Sequence, residues 1–173
     1  MKTNFIFLAF LVTYLNTANA YAERGLARIR ALQPGSMLSG RAIITEDTNG
    51  LKIKVNVFDV PKGIHGIHIH EFGDCEGDGS AAGSHFNPEG APHGMITKDG
   101  IHKAHAGDLG NIDASQDGSG SLEIVVPNLT LLFGLHSVAG RSVILHENAD
   151  DFGQPVGNAG GRIGCGTITI VGE

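Results

Sequence analysis

Residues 37–57 read MLSGRAIITEDTNGLKIKVNV, two apolar-polar alternating runs joined around Asn49-Gly50. In the second run Leu51, Ile53, Val55 and Val57 alternate with Lys52, Lys54 and Asn56. A period of two puts the apolar set on one face of a half-buried strand, and Asn-Gly between such runs is a strong hairpin signal. Met37–Ile44 is then the partner strand. Working outward, further strands are predicted over Ala27–Leu32, Ile64–His70, Ser121–Val126, Ser142–His146 and Gly166–Val171. No window carries a sustained helical stripe. Short strands separated by Gly, Asn and Asp turns predict an all-β antiparallel sandwich or barrel. The 173 residues suit one domain, and 26 glycines without a three-residue period exclude collagen.

Residues 1–20 have the pattern of an export signal. Lys2 precedes an apolar stretch, Phe5–Leu15, too short to span a bilayer, and Ala18-Asn19-Ala20 is a small-x-small cleavage pattern. The expected division is a signal peptide over 1–20 and one domain over 21–173, soluble and exported. No later stretch is apolar enough to cross a membrane. A net charge of −6 argues against nucleic acid and anionic membranes as partners. Export would place Cys75 and Cys165 in an oxidising compartment, where a single bridge is stable.

Glu71–Lys103 has no strand periodicity and is rich in Gly, His, Asp and Pro. An ordered loop of about 30 residues needs an organiser, and a metal or a disulfide is the simplest. His68-Ile69-His70 puts two imidazoles on one strand face, about 7 Å apart at the backbone. Alone this pattern also fits a solvated strand face. His85, His93, His102, His105 and Asp108 fall within 24 residues, a much denser set. Imidazoles with one carboxylate suit tetrahedral zinc, whose binding energy would fix a loop without a core. His146, at a strand end beside the irregular stretch Asn148–Gly164, is placed to join such a site.

Several of these motifs resemble the copper–zinc superoxide dismutase family. They are Gly63-Ile64-His65-Gly66-Ile67-His68-Ile69-His70-Glu71, His85-Phe86-Asn87-Pro88 with a His eight residues on, His105-Ala106-Gly107-Asp108-Leu109-Gly110-Asn111, and Gly157-Asn158-Ala159-Gly160-Gly161-Arg162 followed by Cys165-Gly166. In order and with compatible gaps, they cover nearly all of Gly40–Val171. The resemblance implies a Greek-key β-sandwich or flattened barrel with long metal-binding and disulfide-tethered loops. It assigns copper to His68, His70, His85 and His146, and zinc to His85, His93, His105 and Asp108, with His85 bridging. Asp150 is then the carboxylate that accepts from His68 and His93. By the same resemblance Cys75 and Cys165 are expected to form an intrachain disulfide. The resemblance further implies that Arg162 steers the superoxide anion to copper and that His85 delivers a proton to the peroxide product. His65 and His136 are structural, and His102 is a loop residue outside the site.

The implied activity is dismutation of superoxide to oxygen and hydrogen peroxide by alternating copper reduction and oxidation, outside the cytoplasm. Cys75 lies five residues after His70, earlier than in cytosolic animal and plant members. With the export signal, that resembles bacterial periplasmic members, so a periplasm is expected, with secretion as the alternative. Val156 stands where many members have Thr, and Lys98 and Lys103 are candidate helpers in steering or plain loop lysines. Asn128-Leu129-Thr130 is a glycosylation sequon only in a eukaryotic host. Leu131-Leu132-Phe133 is either a contact in a homodimer or core beneath a loop.

Overall fold

The computed structural model describes residues 24–172, so the export-signal reading of residues 1–20 lies outside the described residues. Eight strands form: β1 Arg24–Ala31, β2 Ser39–Asp47, β3 Gly50–Phe58, β4 Gly63–His70, β5 Asp108–Ala114, β6 Gly120–Val126, β7 Ser142–His146 and β8 Arg162–Val171. They close into an antiparallel barrel in the order β1-β2-β3-β6-β5-β4-β7-β8. β3 pairs with β6 and β4 with β7, so the chain crosses over twice in Greek-key fashion. The hairpin read from residues 37–57 is β2–β3, with Ile44 opposite Ile53 and Ala42 opposite Val55.

Several bounds differ from the sequence reading. β2 begins at Ser39, leaving Met37 exposed, and runs to Asp47. β8 begins at Arg162 rather than Gly166, so it includes Cys165. β5 carried no strand signal because Asp108, Gly110 and Asn111 break the apolar alternation. The only α-helical segment among the described residues is the single turn α1, Ile96–Asp99. Leu131-Leu132-Phe133 divides: Leu131 is core, Leu132 is half-buried and Phe133 is exposed.

β4 and β7 depart from the half-buried pattern, being buried over Gly66–His70 and Ser142–His146. Ile67, Ile69, Val143 and Leu145 join the barrel core, while His68, His70 and His146 face the other way beneath the long loops. A slip of one residue in β4 would exchange its isoleucines and histidines. Each buried isoleucine contributes about 1.5–3 kcal/mol, so the core fixes which face receives the imidazoles.

The β4–β5 connection, residues 71–107, folds back along β4. Phe86 N–H donates to Ile69 O (2.8 Å), Ile69 N–H to Gly107 O (2.9 Å) and Glu71 N–H to Ser84 O (3.0 Å). Residues 147–161, between β7 and β8, return over the same face, where Gly66 N–H donates to Asn148 O (2.8 Å). Cys75 and Cys165 are joined in a disulfide, with Cα atoms 5.8 Å apart. The bridge packs with Ala82, Ile144 and Leu32 in a small second cluster outside the barrel.

Candidate metal centre

Two sets of potential ligands converge on the outer face of β4 and β7. His68, His70, His85 and His146 form one; His85, His93, His105 and Asp108 form the other. Within each set the ligand atoms lie within 4.8 Å of one another, and all seven residues are buried. His85 belongs to both. Its ring centroid lies 4.0 Å from that of His68 and 5.4 Å from that of His105. His102 is exposed and outside both sets, as are Lys98 and Lys103.

Each ring's orientation follows from the nitrogen it commits to a protein acceptor. His68 donates from Nε2 to Asp150 Oδ2 (2.8 Å), His70 from Nδ1 to Gly83 O (3.0 Å) and His146 from Nδ1 to Gly160 O (3.3 Å). The remaining nitrogens, His68 Nδ1, His70 Nε2 and His146 Nε2, are buried without a hydrogen-bond partner. An orphaned buried nitrogen is expensive unless something occupies the space it faces, and a lone pair aimed there is the form a metal ligand needs. Burial, then the neighbouring imidazoles and Arg162, hold the pKa of His70 down to about 2. Burial likewise lowers that of His146 to about 3 and that of His85 to about 4. These rings are neutral at physiological pH.

The second set is built around Asp108, the first residue of β5. Its Oδ1 lies 2.9 Å from His85 Nδ1 and 3.1 Å from His105 Nδ1, and its Oδ2 accepts from Gly94 N–H (3.0 Å) and His105 N–H (2.9 Å). Burial works against ionisation of Asp108, but these contacts win and hold it well below the usual carboxylate range. His93 Nδ1 lies 2.9 Å from Asp108 Oδ2, yet is not aligned for a hydrogen bond. That geometry suits two groups facing a common centre. Burial lowers the His93 pKa, but Asp108 and Asp150 outweigh it and raise it to about 9. Three imidazole nitrogens and one carboxylate fit tetrahedral zinc, and four imidazoles fit tetragonal copper.

Asp150 ties the two sets together. Its carboxylate accepts from His68 Nε2 and from His93 Nε2 (2.9 Å). Burial raises its pKa, but those rings and the Phe152 N–H pull it below the usual range. Its backbone is clamped reciprocally by Asn111, through Asn111 Nδ2 to Asp150 O (2.9 Å) and Asp150 N–H to Asn111 Oδ1 (2.8 Å). Gly157, at φ 78°, lies against this carboxylate where a larger residue would collide with it.

Arg162 reaches from the start of β8 to the carbonyl of Gly79 and to that of Gly83 (2.6 Å). Gly83 O therefore serves both His70 and Arg162, which brings the guanidinium beside the first set. Burial lowers the Arg162 pKa, but a guanidinium stays charged. The disulfide fixes the same loop to β8. His65 faces His146 O (2.9 Å) and Pro61 O (2.8 Å), and His136 faces Glu89 (2.7 Å), so both have hydrogen-bonding roles.

Other positioning residues were not legible in the sequence. Gln154 brackets His93, accepting from its N–H (3.0 Å) and donating to its carbonyl (2.7 Å). Arg141 donates to Glu71 O (2.8 Å) and lies 3.5 Å over the ring of Phe86, the neighbour of His85. Neither residue carries a motif. The carbonyls of Gly83 and Gly160 have no side-chain signal at all.

Comparison with known proteins agrees with this geometry. The sequence model of a family described as copper/zinc superoxide dismutase matches residues 38–168. A relative from Autographa californica nuclear polyhedrosis virus, named as a putative copper–zinc superoxide dismutase, is 39% identical over 127 residues, covering 69% of this chain and 82% of the relative. The crystal structure of the clock protein EA4 superposes with a TM-score of 0.77 at 33% identity, covering 87% of this chain and 96% of that one.

Proposed function

The chain belongs to the copper/zinc superoxide dismutase family of oxidoreductases, and from that premise we propose that its two ligand sets hold copper and zinc and convert superoxide to oxygen and hydrogen peroxide. The observation that carries the reading is the sharing of His85 between two buried sets of matching chemistry. Copper, held by His68, His70, His85 and His146, supplies the one-electron reduction and oxidation that the reaction needs. Zinc, held by His85, His93, His105 and Asp108, adds a fixed positive charge without redox chemistry.

The chain's own residues do the rest. Two superoxide anions and two protons give one oxygen and one hydrogen peroxide. His85 has Nδ1 committed towards Asp108, so Nε2 is the atom at which it holds and releases a proton beside the copper set. His85 and His146 each keep 6% exposure while His68 keeps none, so a small anion approaches on their side. Arg162 supplies the positive charge there and opposes the repulsion expected from a chain of net charge −6. Asp150 fixes the tautomers of His68 and His93, aiming Nδ1 of both rings inward.

We propose further that the activity lies outside the cytoplasm, in a periplasm or secreted. This rests on the export pattern of residues 1–20, with the Cys75–Cys165 bridge in support. Among the described residues no helix is long and apolar enough to cross a membrane. Reconstitution with both metals, metal counting and direct measurement of superoxide decay test the reading. One copper and one zinc per chain with fast decay are expected. His146→Ala should lose copper and keep zinc, and Asp108→Ala should chiefly lose zinc. Both metals bound without turnover would refute the enzymatic reading.

A further inference from the structure

Four of the chain's six arginines, Arg24, Arg28, Arg30 and Arg41, lie on the outer face of β1 and β2 and line one open depression with the exposed Phe58. Arg24, Arg28 and Arg30 are all exposed on β1, and alternate residues of a strand share a face. They span about 20 Å at the usual rise per residue. Arg41 stands directly opposite Arg28 in the β1–β2 register. Like charges placed opposite one another across a ladder destabilise it, so this pair calls for an explanation.

No carboxylate provides one: among the described residues none of the four arginines forms an ion pair, whereas Lys52 and Lys54 on the neighbouring β3 are both held by Glu123, at 2.6 and 3.2 Å. On β2 the acids Glu46 and Asp47 lie beyond Thr45, the partner of Arg24. They accept backbone N–H bonds from Leu131 (2.6 Å) and Asn49 (2.9 Å). Among the described residues the result is a local charge of +4, on a chain of net charge −6.

We infer that this face binds a linear sulfated polysaccharide, laid along β1. All four cations are arginine, whose planar fork pairs with oxyanions two bonds at a time. A thin chain lying along β1 keeps its charges within a Debye length, about 8 Å at physiological salt, of the four guanidinium groups. A membrane or a nucleic-acid duplex would present a broad anionic surface to the acidic remainder of the protein. A single-stranded nucleic acid gains much of its affinity by stacking bases on aromatic rings, and among the described residues this depression offers only Phe58. A second copy of the same face would set arginine against arginine. β8 separates β1 from β7, and no metal-site residue lines the depression. Occupancy should therefore leave superoxide turnover unchanged.

The test is titration of the metal-loaded protein with a fluorescent heparin oligosaccharide of defined length, repeated across salt. Binding should weaken as salt rises. Arg28→Gln with Arg41→Gln should weaken it about tenfold or more near 0.1 M salt and roughly halve the slope of log K against log salt, because two of four ionic contacts are gone. Lys52→Gln with Lys54→Gln should bind as the parent does. Metal content and dismutase rate, measured on every variant, should be unchanged, which separates loss of the patch from loss of the fold. The inference is overturned by absent or salt-independent binding, by parent-like binding of the arginine variant, or by equal affinity for desulfated heparin. Equal affinity for a single-stranded oligonucleotide or for anionic vesicles would overturn the choice of occupant.

Discussion

Gly157→Ala isolates what Asp150 contributes to the two ligand sets. A methyl group at Gly157 would lie 2.6 Å from Asp150 Cγ, 2.5 Å from His93 Nε2 and closer still to Asp150 Oδ1. Carbon atoms settle at about 3.5–4.0 Å, so the carboxylate must retreat by about 1 Å. Its bonds to His68 Nε2 (2.8 Å) and His93 Nε2 (2.9 Å) cannot survive that displacement together. Losing such a partner lowers metal affinity about 10–100-fold, and here one carboxylate serves a ring in each set. Both metals should therefore weaken at once. The residue also sits at φ 78°, where a Cβ costs about 1–2 kcal/mol. In a domain of this size that lowers Tm by about 2–8 °C. Competition against a graded series of chelators reads the two affinities, and calorimetry of the metal-free protein reads the backbone strain together with the lost Asp150 contacts. Val156→Ala, at the exposed neighbouring position, is the control and should change neither. Parent-like affinities for both metals in Gly157→Ala would refute the role given to Asp150.

Arg162→Ala should retain both metals and lower the rate about tenfold or more, with a flatter dependence on ionic strength; an unchanged rate would remove Arg162 from the steering role. Replacing Cys75 and Cys165 by Ser opens a closure of 90 residues, worth at most about 4–5 kcal/mol in the chain-entropy model, measurable as a lower denaturant midpoint. Metal-free protein should lose stability in acid. His70, His85 and His146 have native pKa values lowered from 6.5 to about 2, 4 and 3, so below pH 6.5 the unfolded chain binds more protons than the native one. Their contribution is fully present above about pH 6.5 and is lost as pH falls towards those native values. His93, raised to about 9, acts oppositely: its contribution is full below about 6.5 and fades as pH rises through 9. Denaturant titrations of the apoprotein from pH 4 to 9 should show both limbs, and a flat profile would refute the neutral state assigned to the buried rings.

Much of this was readable in the residues, for a physical reason. Period-two alternation reports a sheet with one face on the core, and Leu51–Val57 sits on the barrel interior as it should. The same rule underestimates β4 and β7, which are covered on both faces because loops lie over their outer side. β5 was silent because its first residue, Asp108, is a candidate ligand, and Gly110 at φ 99° follows. The candidate ligand residues were legible because metal binding needs particular side chains at particular spacings. The acceptors that orient them were less so. Asp150 was reached only through the family resemblance, and the acceptors for His70 and His146 are the carbonyls of Gly83 and Gly160. A carbonyl is present at every residue, so only the path of the loop reveals which one is used. Gln154 illustrates the same point: nothing in its identity predicts a bracket around His93.

The two ligand sets also differ in what holds them. His68, His70 and His146 stand on β4 and β7, strands whose opposite faces carry the barrel core. Their positions are therefore secured by global folding. His85, His93 and His105 stand on the β4–β5 connection, whose own regular structure is a 3-10 turn at Ser80–Ala82 and one turn of helix. That loop packs Phe86, Ile96, Ile101 and Ala104 against the core, but its polar half is organised around Asp108. Zinc binding should thus be coupled to ordering of the loop, while the copper side is largely preformed. His85, Asp150 and the Gly83 carbonyl that orients His70 are the points at which one side can report on the other. His85 belongs to both sets, and Asp150 joins a strand-borne ring to a loop-borne one. Loosening the loop therefore disturbs the copper side through those three residues first, with β4 and β7 remaining in place.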